Sequence, residues 1–344
     1  MKQLTMCSVY SGYLYCKSNL QYWRYQEIAI KIMKHHLLYS TFLILILACQ
    51  KENVVIPDTG RKLVINGLIT TDSVLNVRIS NSYYFKDPYM GWATFPEFDS
   101  ADVRFYINNI FLDSLHYSDQ DKRYFIYPTS NYKSNNIYPL SGYEYKIIVK
   151  RAGFPDATST TTIPRLVKIE KVDTARIILP HNSGFIMNCR IEFTDPPAEK
   201  NYYLFNIITR ELPWGKRYLE FSCHDPVIEE EFGSNSMAGK VLKYGYAFSD
   251  KLIDGKKYNL NFSFEGSYWY NNIYYPIPKT SYIYYFRLIS VTEEYYRFIQ
   301  TLNLYNASYS NPLAEPVMVY SNVSGGYGIF AGATVSTDSI IIHD

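Results

Sequence analysis

The run Cys223-His224-Asp225, followed by Glu229, Glu230 and Glu231, is the chain's nearest approach to a set of metal ligands. An imidazole beside carboxylates could hold a divalent cation or move a proton. Two readings stand: a surface cation site built from His224, Asp225 and a glutamate, or a solvated acidic loop. No second histidine stands at a ligand-like spacing, since His116 and His181 are isolated in sequence. The sequence lacks His-Glu-x-x-His, Gly-x-Ser-x-Gly, a phosphate loop ending in Gly-Lys-Ser/Thr, and Cys-x-x-Cys. Gly325-Gly326-Tyr327-Gly328 has no lysine and reads as a tight turn or bulge between strands. No catalytic residue, bound metal or cofactor is expected. Cys189 shares a parity with Ile191 and Phe193, and Cys223 with Leu219 and Phe221, so both thiols point inward. A disulfide and two buried free thiols fit equally well.

The binding chemistry on offer is aromatic. The chain holds 36 Tyr, 19 Phe and 4 Trp. One segment gathers Tyr84, Tyr89 and Trp92 around Pro88 and Gly91. Another contains Tyr268-Trp269-Tyr270. Such rings stack on sugars or anchor a protein partner, so a glycan or peptide ligand fits them; they could equally pack over the ends of a sandwich.

The most informative stretch lies earlier. Met33-Lys34-His35-His36 gives a short basic start, and Leu37 to Ala48 is apolar. That run is about 12 residues, or roughly 18 Å as a helix, too short to cross a hydrocarbon core of about 30 Å. It has the length of a signal-peptide apolar region. Ile46-Leu47-Ala48-Cys49 closes it and resembles a bacterial lipobox. The resemblance implies cleavage between Ala48 and Cys49 and acylation of Cys49, which fixes the chain to outer-membrane lipid. Gln50-Lys51-Glu52 resembles the short signal that sends Bacteroidota lipoproteins to the outer face of the outer membrane. Residues 1–32 do not suit a leader and read as an over-extended gene start. Residues 33–48 are then the signal peptide and 49–61 a lipidated tether.

The elements that must position these residues are strands. Leu75, Val77 and Ile79 alternate with polar neighbours. So do Val103, Phe105 and Ile107; Tyr145, Ile147 and Val149; Met187 to Phe193; and Leu260 with Phe262. Asn66-Gly67, Asn108-Asn109 and Asn271-Asn272 read as turns. Gly142-x-x-Tyr145 and Gly255-x-x-Tyr258, each preceded by leucine and followed by an alternating strand, read as two tyrosine corners of immunoglobulin-like sandwiches. Pro164 suits a strand end. The fold class is therefore mainly β: two immunoglobulin-like or β-sandwich-like units, residues 62–164 and 165–344, with one late helix. Ser290-x-x-Glu293 has the spacing of a capping box, and Tyr295, Phe298, Ile299, Leu302 and Tyr305 form an apolar helical stripe.

Composition sets outer bounds. The formal charge of +2 becomes −2 once residues 1–48 are removed. Neither that balance nor its distribution shows the basic stripe of a nucleic-acid binder. Apolar residues at 47% and charged residues at 19% exclude wholesale disorder.

The order of motifs carries a resemblance. After the lipobox come Lys62 to Thr70, the Tyr145 corner closing on Ile163-Pro164, and Phe193-Thr194-Asp195-Pro196-Pro197 before Asn201-Tyr202-Tyr203. Glu294-Tyr295-Tyr296-Arg297 and Ser321-Asn322 leading to Gly328-Ile329-Phe330-Ala331-Gly332 follow. Together they resemble the Bacteroidota lipoproteins of the domain-of-unknown-function 4249 family across nearly all of residues 49–344. The resemblance implies a surface lipoprotein serving a TonB-dependent β-barrel transporter. It brings no catalytic residues.

Overall fold

The computed structural model describes residues 31–34, 60–82, 100–118, 130–180, 184–211, 215–232, 245–266, 282–309, 315 and 317–342. Residues 31–34 form a helical turn within the unit Met1–Thr59, and Gly60–Asp344 makes a separate compact unit.

That second unit is mainly β. Its first strands are β1 (Leu63–Thr70), β2 (Asn76–Asn81), β3 (Asp102–Ile107), β4 (Ile110–Ser118), β5 (Ser130–Lys133), β6 (Glu144–Lys150) and β7 (Ala157–Thr162). Then come β8 (Ile169–Ile178), β9 (Phe185–Thr194), β10 (Tyr202–Glu211) and β11 (Gly215–Leu219). Helix α1 (Pro226–Phe232) precedes β12 (Tyr246–Ser249), β13 (Lys257–Gly266) and β14 (Tyr282–Val291). Helix α2 (Glu293–Tyr309) precedes β15 (Tyr327–Ile342).

A twelve-stranded sheet runs β11-β10-β14-β15-β1-β2-β5-β4-β3-β6-β7, with β12 also on β10. A three-stranded sheet runs β13-β9-β8.

Alternation decides which face each strand buries. On β9, Phe185, Met187, Cys189, Ile191 and Phe193 all face one core. Tyr145, Ile147 and Val149 do the same on β6. Asn108 and Asn109 both adopt the left-handed conformation (φ 48° and 63°) and join β3 to β4 in a two-residue hairpin. Asn66-Gly67, by contrast, is no turn but lies inside β1. A Cβ on Gly67 would meet Val77 Cγ1 at 2.7 Å and the Phe330 ring at 3.2 Å, so the glycine permits close packing. The box at Ser290 is also corrected. Ser290 and Val291 stay in β14, where sheet pairing holds them, and α2 starts at Glu293. The Ser290 hydroxyl accepts from Val167 N–H instead.

Two large cores result. The first gathers Leu63, Ile65, Val77, Phe105, Tyr145 and Ile147. The second gathers Phe193, Tyr203, Phe205, Phe248, Phe262 and Phe286. Core membership changes between Ile163 and Val167. A third cluster forms where Tyr296 and Ile299 of α2 lie on Leu204, Ile289 and Ala333.

β15 ties residues 62–164 to the last segment of the chain. Its first half pairs in parallel with β1, from Val64↔Tyr327 to Thr70↔Ala333. Its second half pairs with β14, from Val291↔Ala333 to Tyr282↔Ile342. Val323 and Phe330 enter the first core, where Phe330 meets Phe105 edge-on at 6.1 Å. Thr158 on β7 and Ser324 exchange two backbone hydrogen bonds of 2.9 and 2.8 Å. The last segment thus fills the seam between β1 and β7. Gly328 fits there because its φ is +104° and a Cβ would lie 2.1 Å from Ile65 O.

Candidate functional site

Tyr145 makes a tyrosine corner. Its hydroxyl donates to Leu140 O at 2.9 Å and accepts from Leu140 N–H at 2.7 Å. Burial is the main cause that raises its pKa.

Tyr258 does not make a second corner. Its hydroxyl donates to the Asp225 carboxylate. Asp225 is buried and lies just before α1, where it also accepts from Val227 N–H (3.3 Å), Asn261 N–H (3.0 Å) and Asn261 Nδ2 (3.4 Å). A charged acceptor holds the phenol more strongly than a carbonyl does. Asp225 is therefore a helix cap tied to β13, with Pro226 suited to the first helical position. Its neighbour His224 is exposed, and Glu230 pairs with Lys251. The Cys223-His224-Asp225 run does not converge as a ligand set, because alternate residues point inward and outward.

Carboxylates converge elsewhere. Asp195, Asp250 and Asp254 each offer a ligand atom, and these lie within 4.8 Å of one another. Asp195 and Asp250 are buried and Asp254 is exposed. They belong to two loops that meet where β9 ends and β13 begins. Asp195 accepts from Tyr203 OH and from Gly255 N–H at 2.9 Å. Asp250 accepts from Asn201 N–H at 2.6 Å, and Asp254 from Ala198 N–H at 3.0 Å. Burial pushes the Asp195 carboxyl above its ordinary value; the Tyr203 and Gly255 bonds oppose this, while Asp250 and Asp254 add to it. Burial, then the bond to Asp195, raises Tyr203. Hard cations such as Ca2+ take oxygen donors of this kind. Here each carboxylate already serves a hydrogen-bond donor, and the trio acts as a latch between the loops. Sequence reading misses it because Asp195 and Asp250 lie far apart along the chain. The Asp195-Pro196-Pro197 and Asp254-Gly255 pairs are its only local signals.

Cys189 and Cys223 are free and buried. Cys189 Sγ faces Met187 O at 3.9 Å, and Cys223 Sγ faces Asn261 O at 3.3 Å. Burial pushes the Cys189 thiol up to about 12 and raises Cys223 as well.

Ala48, Cys49, Gln50, Lys51 and Glu52 lie outside the described residues, as do Tyr84, Tyr89, Trp92, Tyr268, Trp269 and Tyr270. The described residues that flank the two aromatic segments are well separated. Ser82 bonds Lys62 O at 2.8 Å, beside the start of β1. Gly266 pairs with Phe185, and Tyr282 with Ile342, at the far end of β15. The 16 residues of β15 span about 50 Å at the usual rise per residue. The segments are therefore rooted near opposite ends of the shared strand and do not share one root. Among the described residues, no helix is long and apolar enough to cross a membrane.

Two sandwich-like cores joined through one strand, with buried carboxylates bonded within loops and a helix cap, define a mainly β protein. The chain belongs to the family described as Domain of unknown function (DUF4249), whose model matches residues 51–339. No curated protein matches it.

Proposed function

We propose that this chain is a lipid-anchored cell-envelope protein, exposed on the outer membrane of a Bacteroidota cell. It acts as a non-catalytic ligand-binding or accessory subunit of a TonB-dependent nutrient uptake system. One observation carries the reading: a basic start, a short apolar run, and Ile46-Leu47-Ala48-Cys49 occur in order. Two or three acyl chains on Cys49, at about 0.8 kcal/mol per buried CH2, hold a protein at a membrane where one chain would be marginal. The use of Asp225 as a cap favours recognition over hydrolysis, since a carboxylate with four donors has little capacity left for proton transfer.

Two measurements test it. Cys49→Ala should abolish acyl labelling and leave an unprocessed precursor. The tagged lipoprotein, purified from membranes in detergent, should bring a β-barrel transporter with it. Recovery of no such partner sinks the accessory role. Turnover lost with His224→Ala would favour an envelope hydrolase, and binding to cells or matrix without a transporter would favour an adhesive protein.

A further inference from the structure

The β3–β4 hairpin ends in an apolar tip. Ile110, Phe111 and Leu112 follow the Asn108-Asn109 turn and are 70%, 54% and 39% exposed. Ile110 pairs with Ile107 and Phe111 with Tyr106, so the two project from opposite faces of the ribbon. The pairs Phe105↔Asp113 and Tyr106↔Phe111 leave Leu112 unmatched as a bulge, which bends the strand. Phe111 meets Tyr106 edge-on at 5.7 Å. The polar turn is turned back on its neighbour. Asn108 Oδ1 accepts from Glu144 N–H at 3.1 Å, Asn108 N–H donates to Glu144 O at 2.8 Å, and Asn109 Nδ2 reaches Glu144 Oε1 at 3.5 Å. These bonds bring the exposed Tyr143 beside the tip.

A protein partner usually covers one face of a hairpin. A fluid apolar medium covers both. Apolar side chains on both faces, with tyrosines at the base, match the layering of a bilayer interface, where Tyr sits at headgroup level and aliphatic groups go deeper. The placement in the fold allows it. Asn66↔Arg78, Arg78↔Asn131 and Asn131↔Ser118 set the far end of β4 level with Asn66 of β1. The eight residues from Ser118 back to Ile110 carry the tip toward the other end, at most about 36 Å from the start of β1. Fourteen residues from Cys49 to Leu63 reach at most about 50 Å. A membrane that holds Cys49 is within range of the tip.

We propose that this tip enters the interfacial layer of a lipid bilayer and gives the protein a second membrane contact. Its setting rests on the lipid-anchor reading, but the contact itself needs no acyl chain. The test therefore uses residues 50–344, which keep the compact unit from Gly60 on and lack both Cys49 and the apolar run before it, floated with vesicles of equimolar phosphatidylcholine and phosphatidylglycerol. This protein should float with the vesicles. Ile110→Ser and Phe111→Ser should each weaken partitioning several-fold, and the double substitution by about tenfold or more. Thermal midpoints should not move, because both side chains are exposed. Ile110→Thr and Phe111→Thr, which keep strand propensity, replace any serine variant that melts early. No flotation, flotation indifferent to the tip, or sensitivity on one face alone overturns the proposal. Acyl labelling of the unsubstituted chain is read separately. Its failure would remove the anchor and leave the vesicle result standing.

Discussion

The Tyr145 hydroxyl clamps Leu140 from both sides, donating to its carbonyl and accepting from its N–H. Tyr145→Phe removes both bonds and leaves two backbone groups to find water. The expected loss is about 1–3 kcal/mol, read as a lower urea midpoint with an unchanged slope. An unchanged midpoint would show that the corner contributes nothing.

The Asp225 cap gives a contrast between sequence neighbours. Asp225→Ala strands Tyr258 OH and the Asn261 amide and should cost about 2–4 kcal/mol. His224→Ala should leave stability within about 0.5 kcal/mol, since the side chain is exposed. Equal effects from both would contradict the cap.

Asp195 predicts a pH dependence with a definite sign. Its folded pKa lies above the ordinary 3.8, chiefly through burial. The folded state then binds the proton more tightly than the unfolded chain. The stability this group contributes is full below about pH 4 and is lost as pH rises through the raised value. Asp195→Asn should flatten that part of the stability profile, whatever it does to the absolute value. Parallel profiles for the two proteins would refute the assignment.

Phe330→Ala should unfold the first module although the residue lies near the chain's end. The ring is fully buried among Leu63, Val77 and Phe105. Truncation should cost about 3–5 kcal/mol. Hydrogen exchange should rise on β1, β3 and β6; exchange confined to β14 would point to a different role.

The two inner thiols should stay silent in the native protein. Cys189 and Cys223 should take an alkylating reagent only in denaturant, without prior reduction, as read by mass spectrometry of their peptides. A requirement for a reductant would reveal a bridge.

Part of this architecture is legible in the residues alone. The β9 face from Phe185 to Phe193 follows from period two, and the Tyr145 corner follows from the glycine three residues earlier. What escapes such reading depends on distant partners. Asn66-Gly67 has the composition of a turn, but burial of Leu63, Ile65 and Ile69 on both sides keeps the strand going. Tyr258 shares the local pattern of Tyr145, yet Asp225 competes for its hydroxyl from another part of the chain. The β1–β15 pairing joins the two ends of the folded unit, and no window of neighbouring residues contains both. The latch of Asp195, Asp250 and Asp254 is hidden for the same reason.

That pairing also settles how the molecule meets a pulling force. β1 opens the folded unit that begins at Gly60, and β15 runs beside it in the same direction for seven residue pairs. Tension between the start of β1 and the end of β15 would draw the two strands past each other along their length. All the rungs between them are then loaded together, as in a lap joint, whereas a hairpin opens like a zipper, one rung at a time. The molecule is thereby strongest against tension drawn between those two ends.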